Sequence, residues 1–294
     1  MTRYDYAGPA DLRAMQGLAA RLWSPRSRWH VGDLAWNRYL HVGREPGWAT
    51  SLWEVDGEVV AWCWAEDSGE VSLCVDPARA DLVDEVLAWG LAAFDVAGHE
   101  AWVLDAEEHL TAGLLRAGFA ARTGGPFFLH TSRTLEDLPV PVLPAGFTVR
   151  PVRGAADAAG WADVHGSAFH PSRVTAESYL NVTAAWPYRA AFDHVVVAPD
   201  GGFAAYCLGW YDEANRVGEF EPVGTRPEFR RMGLARAVCA SVLRAFRDAG
   251  ATSAVVCPRG DADYPQALAL YTDLGFTGGA RTVTYTRTAR RAAG

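Results

Sequence analysis

Hydrophobic residues recur along this chain with two alternating periods, one typical of helices and one typical of strands. Between Asp11 and Trp23 they return every three or four residues, which predicts a helix with Asp11 as its N-cap. The period then changes to two at Thr50–Val55 and at Val59–Ala65. Because the Asp56-Gly57 pair between these runs is a strong hairpin signal, the early chain is expected to combine a helix with an antiparallel sheet.

The same order of elements is then predicted twice. Further strands are expected at 70–75, 101–105, 127–131, 147–152, 193–198, 203–210, 217–225 and 253–257, with a final hairpin at 280–287. Further helices are expected at 82–97, 110–117, 155–169, 176–183, 233–249 and 265–274, with a shorter one within 31–42. These assignments predict alternating strands and helices throughout the chain.

Turn and helix-end residues of the two halves fall at matching places. The pairs are Gly57 with Gly201 or Gly202, Asp76-Pro77 with Arg226-Pro227, Gly98 with Gly250, and L-L-R-A-G-F (114–119) with Y-T-D-L-G-F (271–276). Such self-similarity indicates an internal duplication. The expected fold class is α/β (α+β), with two tandem units that each place helices on both faces of a mixed, mostly antiparallel twisted sheet.

A proline-rich segment separates the two halves. Residues 135–146 hold three prolines at near-alternate positions, which favours an extended, semi-rigid connection. We therefore expect an N-terminal domain at 1–134, a linker at 135–146 and a C-terminal domain at 147–294.

Composition narrows the classes of function. The net charge is -8 and half of the residues are hydrophobic, so large cores are expected and a nucleic-acid partner is not. The five cysteines form no C-x-x-C pair and the histidines are scattered, so neither a disulfide framework nor a metal site is expected. No segment resembles a signal peptide or a membrane span, and we expect a cytoplasmic protein without a membrane partner.

The chemistry is predicted in the stretch Glu219–Ala249. An extended segment there runs through a turn containing Pro227, Arg230, Arg231 and Gly233 into a long helix. A helix N-terminus offers unpaired N–H groups and a positive dipole end, which together bind anions such as a pyrophosphate.

Two motifs of the second half resemble the GNAT superfamily of acetyl-CoA-dependent N-acetyltransferases. The first is V-x-x-x-P-x-x-R-R-x-G-x-A, beginning at Val223, and the second is A-x-x-x-Y-x-x-x-G-F, beginning at Ala267. The resemblance extends from Phe147 to Arg287 and implies that each half has the GNAT fold. Tandem members of the superfamily occur in actinobacteria, with a weak first copy and an active second copy.

The resemblance implies a role for each matching residue. Tyr271 would protonate the departing thiolate, Glu221 would act as the general base, and the N–H of Val223 would polarise the acetyl carbonyl. Glu219, two residues before Glu221, is a second carboxylate candidate. The implied acetyl-CoA-binding residues are Val223, Gly224, Thr225, Arg230, Arg231, Met232, Gly233, Leu234, Ala235 and Arg236.

The chain departs from the family pattern in two places. Tyr264-Pro265 stands where relatives place Asn at the start of the second motif. The first half has Pro77–Leu82 at the position of the phosphate loop, with no glycine and an added Asp81, and Leu114 at the position of Tyr271. We therefore expect a degenerate first copy that has lost catalysis, whether or not it still holds acetyl-CoA.

The leading hypothesis is an N-acetyltransferase that transfers an acetyl group from acetyl-CoA to a primary amine in a direct ternary complex. The alternatives are a non-catalytic acyl-CoA sensor or scaffold and an enzyme acetylating an amino-sugar conjugate. Asp212, Glu213 and Glu219 favour a cationic small amine or a peptide N-terminus as the acceptor. A monomer or a homodimer is expected.

Overall fold

The computed structural model describes residues 1–288. Its first half consists of strands β1 (Thr2–Asp5), β2 (Trp48–Val55), β3 (Glu58–Glu66), β4 (Val71–Val75), β5 (Gly98–Leu104), β6 (Ala120–Ala121) and β7 (Thr131–Thr134), and of helices α1 (Pro9–Arg21), α2 (Val31–Tyr39), α3 (Val83–Ala92) and α4 (Glu108–Arg116). The predicted hairpin around Asp56-Gly57 is confirmed as β2 and β3.

The second half repeats this order of elements. It consists of strands β8 (Thr148–Pro151), β9 (Asp193–Val197), β10 (Phe203–Asp212), β11 (Val217–Thr225), β12 (Ser253–Val256) and β13 (Thr282–Thr288), and of helices α5 (Ala158–Ala168), α6 (Ala176–Ala184), α7 (Leu234–Asp248) and α8 (Pro265–Asp273). The predicted mixed α/β fold class is therefore confirmed.

The strands form three sheets. Their orders are β1-β2-β3-β4, β7-β12-β11-β10-β9-β8, and β5-β13-β6. Neighbouring strands pair antiparallel except for β11 with β12, which pair in parallel. Since β11 and β12 are joined by α7, they form the parallel crossover unit of the second half.

The last strand of each half pairs with the other half. Strand β7 adds to β12 in the six-stranded sheet, and β13 lies between β5 and β6. The hairpin predicted at 280–287 is wrong, because the chain there forms the single strand β13. The strand predicted at 127–131 starts only at Thr131. The division at residues 135–146 remains a proposal for where the two sequence copies join.

Helix α2 of the first half packs directly on the sheet of the second. A Cβ at Gly32 would lie 2.2 Å from Cγ of Trp210 on β10, so only glycine allows this approach. Trp36 of the same helix contacts the ring of Trp161, with 6.1 Å between the centroids. Tryptophans of the first half thus contribute both to its core and to the contact between the halves.

Helix α1 differs from the prediction at its start. Gly8 is its N-cap, and Asp11 lies one turn inside, where its carboxylate accepts from the N–H groups of Ala7 at 2.6 Å and Gly8 at 3.2 Å. Pro9 explains the shift, because proline is favoured in the first helical turn. Within residues 1–288 no helix combines the length and the apolar character that crossing a bilayer requires.

Candidate active site

Strand β11 carries a bulge that separates it from its parallel neighbour. Cys207 of β10 pairs with Val223, and Gly209 pairs with Phe220. Two residues of β11, Glu221 and Pro222, therefore lie opposite the single residue Leu208 of β10. A proline inside a strand is typical of a bulge, because it cannot donate to the ladder. Pairing with β12 stops at Glu219, and a cleft opens along the rest of β11.

The alternation of hydrogen bonds determines which backbone groups face this cleft. In an antiparallel ladder, the backbone N–H and C=O groups of every second residue point toward the neighbouring strand. The N–H of Arg226 donates to the carbonyl of Ala204, so the backbone groups of Gly224, two residues before Arg226, also point toward β10. Val223 and Thr225 therefore direct their N–H and C=O groups away from β10 and into the cleft. The family resemblance implies that Val223 and Thr225 bind acetyl-CoA and that the N–H of Val223 polarises the acetyl carbonyl.

The turn before α7 presents a row of backbone donors. Gly233 is the N-cap with φ 80°, a left-handed conformation that favours glycine. In the described chain, the N–H groups from Arg231 through Arg236 donate to no other backbone or side-chain group. Together with the dipole of the 15-residue helix, they form an anion site.

The free edge of β11 and the start of α7 line one cavity of about 460 Å³, here called the acyl cavity. Of the implied acetyl-CoA-binding residues, this cavity brings together Val223, Gly224, Thr225, Arg230, Arg231, Gly233, Leu234, Ala235 and Arg236. Met232 is the exception: its side chain is 39% exposed and does not line the cavity. Tyr264 lines it in the place where relatives of the family carry Asn.

Tyr271 projects from α8 into the acyl cavity. Its side chain is only 7% exposed and packs against the rings of Phe220 and Phe276. Burial, and then the neighbouring Cys239 and Cys207, raise the pKa of the phenol well above 10. The hydroxyl therefore stays protonated across the working range of pH and has a proton to donate.

Glu221 lies on the other side of the bulge and lines a second cavity of about 350 Å³, here called the acceptor cavity. It does not line the cavity that contains Tyr271. The reason is the bulge, which turns Glu221 and Pro222 away from Val223. Phe169 lines both cavities, so the two meet at its side chain.

The carboxyl of Glu221 is part of a buried acidic group. Burial, then Asp33 and Glu219, raise its pKa to about 8, while Arg28 opposes this rise. The pKa of Glu219 is likewise raised to about 8, chiefly by burial. His30 contacts Glu219 at 2.8 Å, and burial lowers the pKa of its imidazole. The two pKa shifts therefore favour the neutral forms of both Glu219 and His30.

Sequence reasoning missed the part of the acceptor cavity that the first half builds. Trp36, Leu40 and His41 line it, all from α2 and the residues after it. His165 of α5 also lines it, and its Nδ1 lies 2.6 Å from the hydroxyl of Tyr206. The sequence signal for this part of the cavity was the clustering of aromatic residues in the first half. Clustering alone does not show which of these residues contact the second half.

The acidic residues thought to select a cationic acceptor lie elsewhere. Asp212 caps the β10–β11 turn by accepting from Ala214 and Asn215, and Glu213 pairs with Arg189 at 2.8 Å. Glu219 is buried against His30. None of the three lines the acyl or the acceptor cavity. The preference for a cationic acceptor therefore loses its support.

Comparisons with known proteins agree with this geometry. The pattern of the acetyltransferase (GNAT) family matches residues 161–276. A mycothiol acetyltransferase of Kineococcus radiotolerans is 37% identical over 53% of this chain and 51% of its own length. Another, of Frankia alni, is 31% identical over 75% of this chain and 71% of its own length. The chain spans about half the length of several other mycothiol acetyltransferases that it matches.

A solved structure has the same tandem architecture. It is a tandem GNAT protein from the clavulanic acid biosynthesis pathway, 16% identical, with a TM-score of 0.66 over 99% of both chains. At this identity the likeness concerns the fold alone. Together with the Frankia relative and the family pattern, it leads to one conclusion: the chain belongs to the GNAT acetyltransferase family, in its tandem form.

Proposed function

We propose that the protein is an N-acetyltransferase that moves an acetyl group from acetyl-CoA to a primary amine in a direct ternary complex. The observation that carries this proposal is the acyl cavity. One wall has the unpaired N–H groups from Arg231 through Arg236, another has the free edge of β11, and Tyr271 lies between them. There the N–H groups can bind an anion, the edge of β11 can pair with an extended arm, and Tyr271 can reach a thioester sulfur.

The reaction requires three changes at the thioester. The neutral amine nitrogen forms a bond to the carbonyl carbon, and the carbonyl oxygen gains negative charge that the Val223 N–H stabilises. The carbon–sulfur bond then breaks, and the Tyr271 hydroxyl donates its proton to the sulfur. The amine proton passes to the carboxylate of Glu221, directly or through a water molecule. No covalent enzyme intermediate is involved.

Glu221 suits the role of base because of its raised pKa. A carboxyl with a pKa of about 8 holds an abstracted proton much better than an ordinary carboxylate does. Its position next to the meeting point of the two cavities lets an amine approach from the acceptor side while acetyl-CoA enters from the other. A base on the acceptor side is what a ternary complex needs.

The direct test is release of CoA thiol from acetyl-CoA in the presence of a broad panel of amines. Saturable, amine-dependent release supports the proposal. Binding of acetyl-CoA without any release above background would favour the second candidate, an acyl-CoA sensor, for which Tyr264-Pro265 in place of the usual Asn is the motive. Absence of both binding and release would contradict both.

The names of the curated relatives suggest a third candidate. Proteins called mycothiol acetyltransferase match this chain, which favours an acceptor of the mycothiol type, an amino-sugar conjugate. Because the chain spans only about half of most of these relatives, the acceptor does not follow from the match. An amino-sugar conjugate belongs in the amine panel for this reason.

A further inference from the structure

A third cavity, of about 300 Å³, adjoins the acceptor cavity and is here called the distal compartment. The two cavities share Leu40, His41 and Arg173. An acceptor whose amine lies near Glu221 can therefore extend past His41 into the distal compartment. Its remaining walls come from the first half of the chain, including Arg28, Trp29, Arg44, Trp48, Trp64, Glu66 and Glu70.

Three donor groups in the walls of the distal compartment lack a partner. Within residues 1–288, Nε1 of Trp48, Nε1 of Trp64 and Nε of Arg28 are buried and make no hydrogen bond. All three are donors only, so a group that satisfies them must accept hydrogen bonds. Buried donors without a partner are rare in folded proteins and point to a molecule that binds there.

The charges in the distal compartment favour an anion over a neutral acceptor. Three guanidinium groups and two carboxyl groups line it. Arg44 pairs with Glu66, but among the described residues neither Arg28 nor Arg173 forms an ion pair. Burial, followed by Glu66 and Glu100, raises the pKa of Glu70, which favours its neutral form. Behind the aromatic wall, the guanidinium of Arg38 lies 4.9 Å from the ring of Trp64.

We propose that the acceptor is an elongated amine whose far end carries an anionic oxygen group, a carboxylate or a phosphate monoester, bound in the distal compartment by Arg28 and Arg173. This inference rests on the proposed function, since it assigns the acceptor of that same reaction. The first half would then act as the specificity half, although its own cleft has lost the phosphate loop. Arg173 is a binding residue and Glu221 remains the base.

The experiment compares matched acceptors of increasing chain length. Each ω-amino carboxylate is assayed for thiol release beside its carboxamide and the corresponding aminoalkyl phosphate. At the best length, kcat/KM for an anionic acceptor should exceed that for the carboxamide by about tenfold or more, the value of one charge-assisted hydrogen bond. This preference should shrink as the salt concentration rises, because Arg173 is exposed.

Variants separate binding from structural effects. Arg173→Gln should lower kcat/KM for the anionic acceptor by about tenfold and leave the carboxamide unchanged, and Arg173→Lys should recover part of the loss. Arg28→Gln should lower kcat/KM for the anionic acceptor in the same direction, and it should also raise the pKa of Glu221, because Arg28 opposes that rise. Arg26→Gln is the matched control, because Arg26 lies two residues from Arg28, is exposed and does not line the distal compartment. It should leave both acceptors unaffected.

Three results would overturn the inference: equal kcat/KM for carboxylate and carboxamide, an equal loss for both in Arg173→Gln, or a stronger preference for a neutral amino-sugar glycoside. If no amine releases thiol, the proposed function fails. Binding of the anionic compound to the distal compartment can still be tested by fluorescence. Trp29, Trp48 and Trp64 line the compartment, so their fluorescence should change with the ω-amino carboxylate at a concentration where the carboxamide has no effect. Identical titrations would refute an anion site.

Discussion

The two halves of the chain build the same cleft in different ways. In the second half, β11 and β12 separate after Glu219, and among the described residues the N–H groups of Val223 and Thr225 and the carbonyl of Val223 have no partner. The carbonyl of Thr225 accepts a hydrogen bond from Nε of Arg230 at 3.4 Å. In the first half, the equivalent carbonyls on β4 are occupied by the chain itself. Nε1 of Trp29 donates to the carbonyl of Leu73 at 3.0 Å, and Nε2 of His109 lies 2.9 Å from that of Val75.

The turns that follow β11 and β4 also differ in how far the chain itself occupies their polar groups. In the second half, a left-handed Gly233 interrupts the path into α7 and exposes a row of N–H groups. In the first half, the 3-10 segment from Pro77 to Leu82 is kinked at Arg79 and leads into α3 without a left-handed glycine. The Asp76 carboxylate accepts from the N–H of Ala78, and Asp81 pairs with Arg79 at 2.9 Å. The proposed anion site therefore lies in the half where a left-handed glycine precedes the helix, and not in the half where side chains occupy the carbonyls of the cleft.

The largest expected effect comes from replacing Tyr271, the proposed proton donor, which has Leu114 as its counterpart in the first half. Tyr271→Phe should lower kcat by about 10²-fold or more, the usual contribution of general acid catalysis, and should leave acetyl-CoA affinity nearly unchanged. Steady-state thiol release and a calorimetric titration with acetyl-CoA measure the two quantities. Full turnover by this variant would exclude Tyr271 from the mechanism.

Replacement of Glu221, the proposed base, should lower activity about as much as Tyr271→Phe does, and it should also change the pH dependence of kcat/KM. Glu221 works as a base only when ionised, so kcat/KM should rise with pH and level off above its pKa of about 8. Glu221→Gln should lower the plateau by about 10²-fold and abolish the rising limb. A pH profile of both proteins measures this. A wild-type limb that persists in the variant would assign the titration to another group.

The raised pKa of Glu219 also has a consequence for stability. Its pKa of about 8 in the folded protein exceeds the ordinary value of 4.5, so the folded state binds the proton more tightly than the unfolded state does. The free energy of unfolding should therefore fall as pH rises between these two values. Glu219→Gln should flatten this dependence in urea titrations at several pH values. An unchanged slope would mean that Glu219 is ionised in the folded protein.

A smaller effect is expected when the acidic character of the first-half turn is introduced into the second half. Ala235→Asp places a carboxylate in the first turn of α7, where it should weaken acetyl-CoA binding by about tenfold or more through repulsion of the pyrophosphate and stabilise the helix by about 0.3–1 kcal/mol. Calorimetry and thermal unfolding measure the two quantities. Ala235→Asn, without the charge, is the control; equal losses in both variants would indicate crowding rather than charge.

The smallest effect is expected in the first half. Asp81→Asn removes an exposed ion pair with Arg79, and such pairs contribute about 0–1 kcal/mol. Turnover and acetyl-CoA affinity should stay within about twofold of the wild type, because the proposed acetyl-CoA site lies at the other turn. A marked loss of turnover would give the first-half cleft a part in the reaction.

The local sequence predicted much of this architecture. The Asp56-Gly57 hairpin, the exact bounds of β11 and the turn before α7 each depend on a few neighbouring residues, and the structure confirms them. The pairing of β7 and β13 with strands of the other half was not predictable, because a hydrophobic pattern that identifies a strand does not identify the strand it pairs with. The acceptor cavity likewise depends on the packing of α2 against Trp210, and the separation of Glu221 from Tyr271 depends on a bulge of one residue.

The most direct test of the central claim, that the second-half turn supplies the acetyl-CoA site used in turnover, is kcat/KM for acetyl-CoA in Ala235→Asp and in Asp81→Asn. Thiol release is followed with one good amine at a saturating concentration. If acetyl-CoA binds at the second-half turn, the loss should be about tenfold or more in Ala235→Asp, with no change in Asp81→Asn. An unchanged value in Ala235→Asp would contradict the claim.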